Sequence, residues 1–171
     1  VETILSNGPT ANRVDIVFIG DGFTETDLST WPAVAVAGYE RLFQYEPFIR
    51  YREYFNVHRV DVVSAESGVD NDPTQGVERD TALDMRFWCS NIERLLCINT
   101  GSAAAMAAFA PDVDQIAAVA NSTMYGGAGY SSADIGTYSG FNGSSVEVFI
   151  HELGHSLGNL ADEYTYGSSS D

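Results

Sequence analysis

The hydrophobic and polar positions in the first part of the chain predict strands and helices in alternation. Residues 13–23, RVDIVFIGDGF, form a β-branched run closed by a Gly-Asp-Gly turn, which is typical of the end of a buried parallel strand. Residues 26–43 repeat apolar side chains at mostly helical spacing, with Thr24 or Thr26 available as N-cap. Residues 55–64 predict the next strand, and this β-α-β order favours parallel pairing through a right-handed crossover.

The middle of the chain continues the same pattern with three more elements. We expect a helix over part of residues 81–97, a helix over 102–110 and a third strand over 114–121. Together these elements predict a layered α/β fold. No linker or internal repeat divides residues 1–171, so we expect a single domain.

Residues 121–145 depart from this pattern because they are dense in Gly, Ser and Tyr. The composition indicates an irregular loop with one exposed edge strand in ADIGTYSG, residues 133–140. Two interpretations of the segment stay open. It is either a flexible surface connection or a rim whose free backbone groups pair with an extended peptide.

A last helix is predicted over SSVEVFIHELGHSLG, residues 144–158. Ser144 and Glu147 have the spacing of a capping box, and Gly158 stands where a left-handed residue would end the helix. One face carries an apolar stripe that we expect to pack on the sheet. The stripe consists of Val146, Phe149, Ile150, Leu153 and Leu157.

Two histidines lie on nearly the opposite side of this helix. His151 and His155 are about 40° apart around the axis, so their imidazoles can both reach one cation, and zinc fits best. Glu152 projects beside them in the position of a general base. A catalytic zinc needs a third protein ligand and one open position, and the candidates for that ligand are Asp162 and Glu163.

This arrangement predicts hydrolysis of amide bonds by metal-activated water. The same His-Glu-x-x-His pattern also occurs by chance in ordinary helices. The predicted caps, the apolar stripe and the acidic pair that follows argue against coincidence here. A purely structural zinc is disfavoured, because it would require four Cys or His ligands.

Charge and cysteine content narrow the partners and the compartment. The formal net charge of −16 disfavours nucleic acid and anionic membrane surfaces, and no apolar run approaches the roughly 20 residues of a membrane span. The N-terminus lacks the features of a secretory signal, so we expect that none existed or that it has been removed. Cys89 and Cys97 suit a local disulfide, which favours an exported protein over one with two buried thiols.

Three smaller features invite a functional interpretation. Asp70, Asn71 and Asp72 offer turn oxygens that could hold calcium, but they lack the spacing of a calcium-binding hand, and a hydrogen-bonded Asx turn is favoured. Asp21, in the Gly-Asp-Gly turn, is expected to be structural. His58 lies in a predicted strand, so we expect it to be packed rather than metal-bound.

Several separated motifs together resemble one known family. They are HELGHSLGNLADEY, RVDIVFIGDGF, PFIRYREYFNVHRVDVVSAESGVD, RDTALDM and NSTMYGGAG. These stretches are similar to the igalysins, the immunoglobulin A peptidase-like metallopeptidases of the metzincin clan, over most of residues 13–164. The resemblance implies a zinc endopeptidase, usually exported from bacteria, that acts on protein or peptide substrates. It also implies a three-layer metzincin-like N-terminal subdomain, in which a twisted mixed sheet is backed by helices and carries an active-site helix.

The third metal ligand follows from the same resemblance. Metzincins commonly place Gly seven residues and His or Asp ten residues after the first ligand histidine. Here Gly158 is present, but Ala161 occupies the later position. Igalysin-like sequences carry the acid one residue further on, which assigns the role to Asp162, with Glu163 as the alternative.

A second departure concerns the lower subdomain that metzincins carry after the third ligand. Its methionine-containing turn has no counterpart, since Met85, Met106 and Met124 all precede the predicted helix. We therefore expect residues 1–171 to be the upper part of a catalytic domain. Its possible partner is a C-terminal fragment of the same precursor, and the part alone would bind zinc weakly or lack full activity. The competing function is a secreted, non-catalytic binding or adhesion module that retains a metal site, and Glu152 argues against it.

Overall fold

The structure is a computed structural model, and it describes residues 1–161. Six strands form one mixed sheet in the order β1-β3-β2-β4-β6-β5. The strands are β1 (Glu2–Leu5), β2 (Val14–Asp21), β3 (Phe55–Val60), β4 (Gln115–Ala120), β5 (Gly127–Tyr130) and β6 (Ile135–Ser139). The helices are α1 (Trp31–Leu42), α2 (Phe48–Tyr51), α3 (Thr100–Ala107) and α4 (Ser145–Ser156). The four central strands are parallel, while β1 and β5 run antiparallel at the two edges.

Apolar side chains cover both faces of the sheet, which gives the fold three layers. On one face, Phe18 of β2 packs in a core with α1 and with Phe149 of α4. On the other face, Ile19 of β2 packs with α3 and with the long segment 61–99. Because parallel strands are buried on both faces, their sequences are almost continuously hydrophobic. The predicted three-layer α/β fold with an active-site helix is confirmed.

Five of the predicted elements occur at the expected places, with bounds that differ by up to five residues. They are β2, α1, β3, α3 and β4, of which α3 begins two residues earlier than predicted. Proline at position 32 lies in the first turn of α1, where its missing N–H needs no intrahelical partner. Within residues 1–161, no helix combines the length and the apolar character that crossing a bilayer requires.

The helix predicted within residues 81–97 is wrong. This segment contains only a short 3-10 turn, Cys89–Asn91. The backbone N–H groups of Leu83 and Met85 donate to the buried carboxylate of Asp21, at 3.0 and 2.9 Å, instead of to helical carbonyls. Local periodicity was overridden by this tertiary contact.

The edge strand was also assigned to the wrong residues. The stretch 133–140 contains β6, in which every residue is buried and which pairs with β4 on one side and β5 on the other. The edge is β5, whose sequence GAGY gives almost no hydrophobic signal. The Gly-rich segment is therefore a β-hairpin with connecting loops, and not mainly an irregular loop.

The ends of α4 differ from the predicted caps. Ser144 makes no side-chain capping bond, so the capping box is wrong, and Glu147 instead accepts hydrogen bonds from Arg41 of α1. The left-handed residue after the helix is Asn159, at φ 49°, rather than Gly158. A Cβ at Gly158 would lie 2.7 Å from the carbonyl oxygen of Gly154, so close approach explains this glycine.

The predicted disulfide is confirmed. Cys89 and Cys97 are bonded, with their Cα atoms 5.7 Å apart. The bond closes a loop that lies beside the first residue of β5, where the N–H of Gly127 donates to the carbonyl of Arg94 at 3.1 Å.

Candidate metal centre

Helix α4 is held on the sheet by the apolar face predicted from its sequence. Phe149 and Leu153 are fully buried, and Val146 and Ile150 pack partly buried against the same core. The ring of Phe149 contacts those of Phe18 and Tyr138. Leu157 is the exception in the predicted stripe, because 38% of it is exposed. The opposite face of the helix is thereby fixed toward solvent.

The two histidines of α4 converge on a shared point. Their Nε2 atoms lie 3.1 Å apart and their ring planes meet at 86°. Two imidazole nitrogens bound to one tetrahedral zinc at about 2.0–2.1 Å would be roughly 3.3 Å apart. The pair therefore fits a zinc ion with only a small adjustment.

A backbone contact selects the tautomer of His155. Its Nδ1 lies 2.7 Å from the carbonyl oxygen of Leu160. A carbonyl only accepts, so Nδ1 donates in this bond, and the ring is oriented with Nε2 toward His151. Ligand histidines are commonly oriented by such a bond from their second nitrogen.

Glu152, the residue after His151, lies against strands β5 and β6. A Cβ built at Gly129 of β5 would be only 2.7 Å from Glu152 Oε2, and one built at Gly136 of β6 would be 3.6 Å from Glu152 Cβ. The carboxylate thus rests against the glycine-rich β5–β6 hairpin. Sequence reasoning missed these glycines because it interpreted the segment as a loop; the available signal was two glycines, 127 and 129, at strand spacing.

The pKa values of two ionisable groups near α4 are shifted, one at each end of the helix. Near the start of the helix, hydrogen bonds from Arg41 are the main cause that lowers the pKa of Glu147, with a further contribution from Tyr45. Near the histidines, burial raises the pKa of Tyr130, and the charge of Glu152 adds to that effect.

In the part of the chain that the structure describes, three cavities border His151, and they differ in the residues that line them. The largest, about 800 Å³, is mostly apolar and runs between α4 and the aromatic side chains of Phe48, Tyr51 and Tyr54. The other two flank Glu152, and both include Arg94, which the disulfide-closed loop brings to the rim. Sequence reasoning also did not identify Arg94 as a neighbour of the site, because it lies nearly sixty residues before Glu152 in the chain.

The predicted site residues are therefore brought together in part. His151, Glu152 and His155 lie at one place on α4. Asp162 and Glu163, the two candidates for the third ligand, lie outside the described residues. Within residues 1–161 no group of three or more His, Cys, Asp or Glu side chains is arranged to hold a metal ion.

The smaller candidate sites have structural partners. Asp21 is fully buried and accepts hydrogen bonds from Ser64, Thr81, Leu83 and Met85. This carboxylate organises the segment that follows β3, which is the structural use expected from the sequence.

The polar atoms of Asp70, Asn71 and His58 also bond to other groups of the fold. Asp70 and Asn71 accept the backbone N–H groups of Arg79 and Gly76, nine and five residues further along the chain. Both side chains therefore close a longer loop instead of the two-residue span of an Asx turn. His58 is 2% exposed, and its ring nitrogens lie 2.8 Å from Asp15 Oδ1 and 2.9 Å from Thr3 Oγ1. It is packed, as predicted.

Comparison with known proteins supplies the family. No curated protein matches the sequence closely enough to be identified as a relative. The family model described as IgA Peptidase M64 matches residues 2–171, which is nearly the whole chain. This match confirms the resemblance predicted from the separated motifs. The chain belongs to the IgA Peptidase M64 family and is accordingly a hydrolase of the protease class.

Proposed function

We propose that the protein is a zinc-dependent endopeptidase whose metal is bound by His151, His155 and Asp162, with Glu163 as the alternative third ligand. The observation that carries the proposal is the 3.1 Å separation of the two Nε2 atoms, which is close to the spacing that one shared zinc requires. The bond between His155 Nδ1 and the carbonyl of Leu160 supports it further, since a bond from the second ring nitrogen commonly orients a ligand histidine.

The metal and the protein contribute different parts of the chemistry. When bound, zinc makes water a nucleophile near neutral pH and polarises the carbonyl of the scissile bond. The two imidazoles would hold the ion at the surface of α4. Asp162 or Glu163 would supply the third ligand that a catalytic zinc requires.

Glu152 is the proposed general base. Its carboxylate takes a proton from the attacking water and delivers it to the nitrogen of the leaving amine, so that the same oxygen atoms serve both steps. The neighbouring position of Glu152 and His151 keeps this carboxylate beside the metal site without occupying a ligand direction.

The substrate is proposed to be a protein or peptide. Gly127 of β5 already bonds to the loop at residues 94–96 through both its N–H and its carbonyl, while Ala128–Tyr130 continue along the outer edge of the sheet. An extended peptide could add there as a further strand, which was one of the two interpretations of this segment. The family name refers to immunoglobulin A, and we infer only the broader peptide class for this chain.

We propose that the protein is exported from the cytosol, on the basis of the disulfide. Bonds of this kind persist mainly in oxidising environments such as the periplasm or the extracellular space. Fractionation of the native host followed by immunodetection tests this; a protein found only in the reducing cytosol would contradict it.

Zinc content and a base-free variant together test the activity. Protein purified together with the expected C-terminal part of its precursor should contain about one zinc per chain, with anomalous scattering at the zinc edge marking the histidine pair. Glu152→Ala should retain the metal and lose hydrolysis of a casein substrate by roughly a hundredfold or more. Zinc retained with no hydrolysis in the unaltered protein would instead support the binding-module function, and activity unchanged in the variant would remove Glu152 from the mechanism.

The same measurement separates the two candidates for the third ligand. Asp162→Ala should lower the zinc occupancy strongly, while Glu163→Ala should leave it largely intact. The reverse result would transfer the role to Glu163.

A further inference from the structure

Strand β5 presents glycines to the helix that carries the candidate site. Gly127 and Gly129 are two residues apart, so both face α4, as alternate residues of a strand do. A Cβ at Gly127 would run into Val148, and one at Gly129 would meet Glu152. Two strand residues advance about 6.6 Å and four helical residues about 6 Å, so Val148 and Glu152 lie over Gly127 and Gly129 in register.

Glu152 lies across a cross-strand pair of glycines. Gly129 of β5 is directly opposite Gly136 of β6. A Cβ at Gly136 would meet Glu152 Cβ at 3.6 Å and Phe149 Cδ2 at 3.5 Å, which are ordinary van der Waals contacts. A Cβ at Gly129 would lie 2.7 Å from Glu152 Oε2, closer than real side chains approach. Gly136 therefore lies under the stem of Glu152, and Gly129 lies under its carboxylate.

Backbone conformation does not explain Gly129. The described glycines with left-handed φ are Gly8, Gly22, Gly68 and Gly76, so alanine is compatible with the backbone at 129. Glycine weakens a strand because it packs no side chain and loses more entropy on folding. The remaining reason for glycine at this position is space, and the occupant of that space is the Glu152 carboxylate.

We propose that Gly129 is a positioning residue for the general base. Its missing side chain leaves the space in which the Glu152 carboxylate lies, and a methyl group there would move that carboxylate away from the reacting atoms. The proposal rests on the function proposed above for Glu152. Because the atom displaced is the far end of a flexible side chain, the fold can accept the change while the geometry of catalysis does not.

Gly129→Ala and Gly136→Ala form a matched pair for testing this. Both place one methyl group on the same face of the same hairpin, but only the first meets the carboxylate. In zinc-loaded full-length protein, Gly129→Ala should lower kcat by about 10- to 100-fold, as misplacement of a reacting group by up to 1 Å does, with KM within twofold. Gly136→Ala should keep kcat close to the unaltered value. The melting temperature of Gly129→Ala should be no lower than that of the unaltered protein, because alanine reduces the entropy of the unfolded chain.

A double variant shows whether the loss acts through Glu152. Added to Glu152→Gln, Gly129→Ala should cause no further decrease in kcat, since the carboxylate is already gone. An equal decrease in both backgrounds would overturn the positioning role. So would full kcat in the single Gly129→Ala variant.

The crystal structure of metal-free Gly129→Ala gives a readout that does not depend on activity. Glu152 Oε2 should be displaced by at least a few tenths of an ångström, because contacts to Cβ shorter than 3.0 Å are essentially never formed. A carboxylate left at its original place would refute the proposal even if the protein hydrolysed nothing. Absence of hydrolysis that depends on Glu152 in the unaltered protein would refute the proposed function instead, so the two failures are distinguishable.

Discussion

The protein uses histidine in two opposite ways, in the sheet and on α4. His58 is buried between strands, with Asp15 and Thr3 on its two ring nitrogens, and Asp15 Oδ1 also accepts a bond from Asn56 at 3.0 Å. On α4, His151 is exposed and His155 is half-buried, and their Nε2 atoms approach each other to 3.1 Å. His58 uses both ring nitrogens within the fold, whereas His151 and His155 direct one nitrogen each toward a common point at the surface, which is the arrangement that the proposed metal site requires.

The largest effect should come from removing one member of the histidine pair on α4. His155→Ala leaves one imidazole for the metal, so zinc content should fall sharply and peptide hydrolysis should decrease by roughly 10³-fold or more. Zinc analysis and a casein assay measure the two quantities. The matched control is His58→Gln, which alters the buried histidine and should retain zinc; loss of zinc in both variants would break the distinction between the two sites.

The free energy of unfolding should be more sensitive to substitution of His58 than to substitution of His151. His58→Ala removes one partner of a buried pair and leaves the Asp15 carboxylate without it, which should cost about 3–5 kcal/mol of unfolding free energy. His151→Ala in metal-free protein should change that free energy by less than about 0.5 kcal/mol, because the side chain is exposed. Urea unfolding of both variants gives the comparison, and similar losses would show that the histidine pair on α4 also supports the fold.

The smallest effect concerns the exposed ion pair that anchors the start of α4. The hydrogen bond from Arg41 lowers the pKa of Glu147 below its ordinary 4.5. The pair therefore stabilises the folded state above about pH 4.5, and that contribution is lost as the pH falls through the lowered value. Both side chains are more than 40% exposed, so solvent screening keeps the contribution small.

Glu147→Gln tests this with a measurement at two pH values. The variant should melt at most a few degrees below the unaltered protein at pH 7, and the difference should shrink well below pH 4. A difference that grows on acidification would show that Glu147 contributes through its neutral form.

Sequence reasoning succeeded where the signal lay within a short stretch of the chain and failed where it depended on distant residues. The apolar face of α4, and hence the placement of His151 and His155 on the other face, is encoded within a dozen residues, and it was predicted correctly. The helix within 81–97 was predicted wrongly because Asp21, more than sixty residues away, binds the backbone of Leu83 and Met85. No pattern within the segment itself reports such a partner.

Strand β5, against which Glu152 lies, was missed for a different reason. Glycine has no side chain and therefore contributes nothing to hydrophobic periodicity, so the strand containing Gly127 and Gly129 resembled a loop. Its pairing with β6, which is recognisable from its β-branched and aromatic residues, is what makes it a strand. The roles of Asp162 and Glu163 stay predictions, because both residues lie outside the described part of the chain.

The close succession of β5, β6 and α4 along the chain has a consequence for how the molecule folds. Residues 127–156 contain all three elements, so the contacts that place Glu152 on the hairpin join residues fewer than 30 positions apart. Closing such short loops costs little chain entropy. The pairing of β1 with β3 costs more, because it joins residues separated by more than 50 others. We expect the neighbourhood of α4 to assemble early in folding, and the docking of the N-terminal strand to come late.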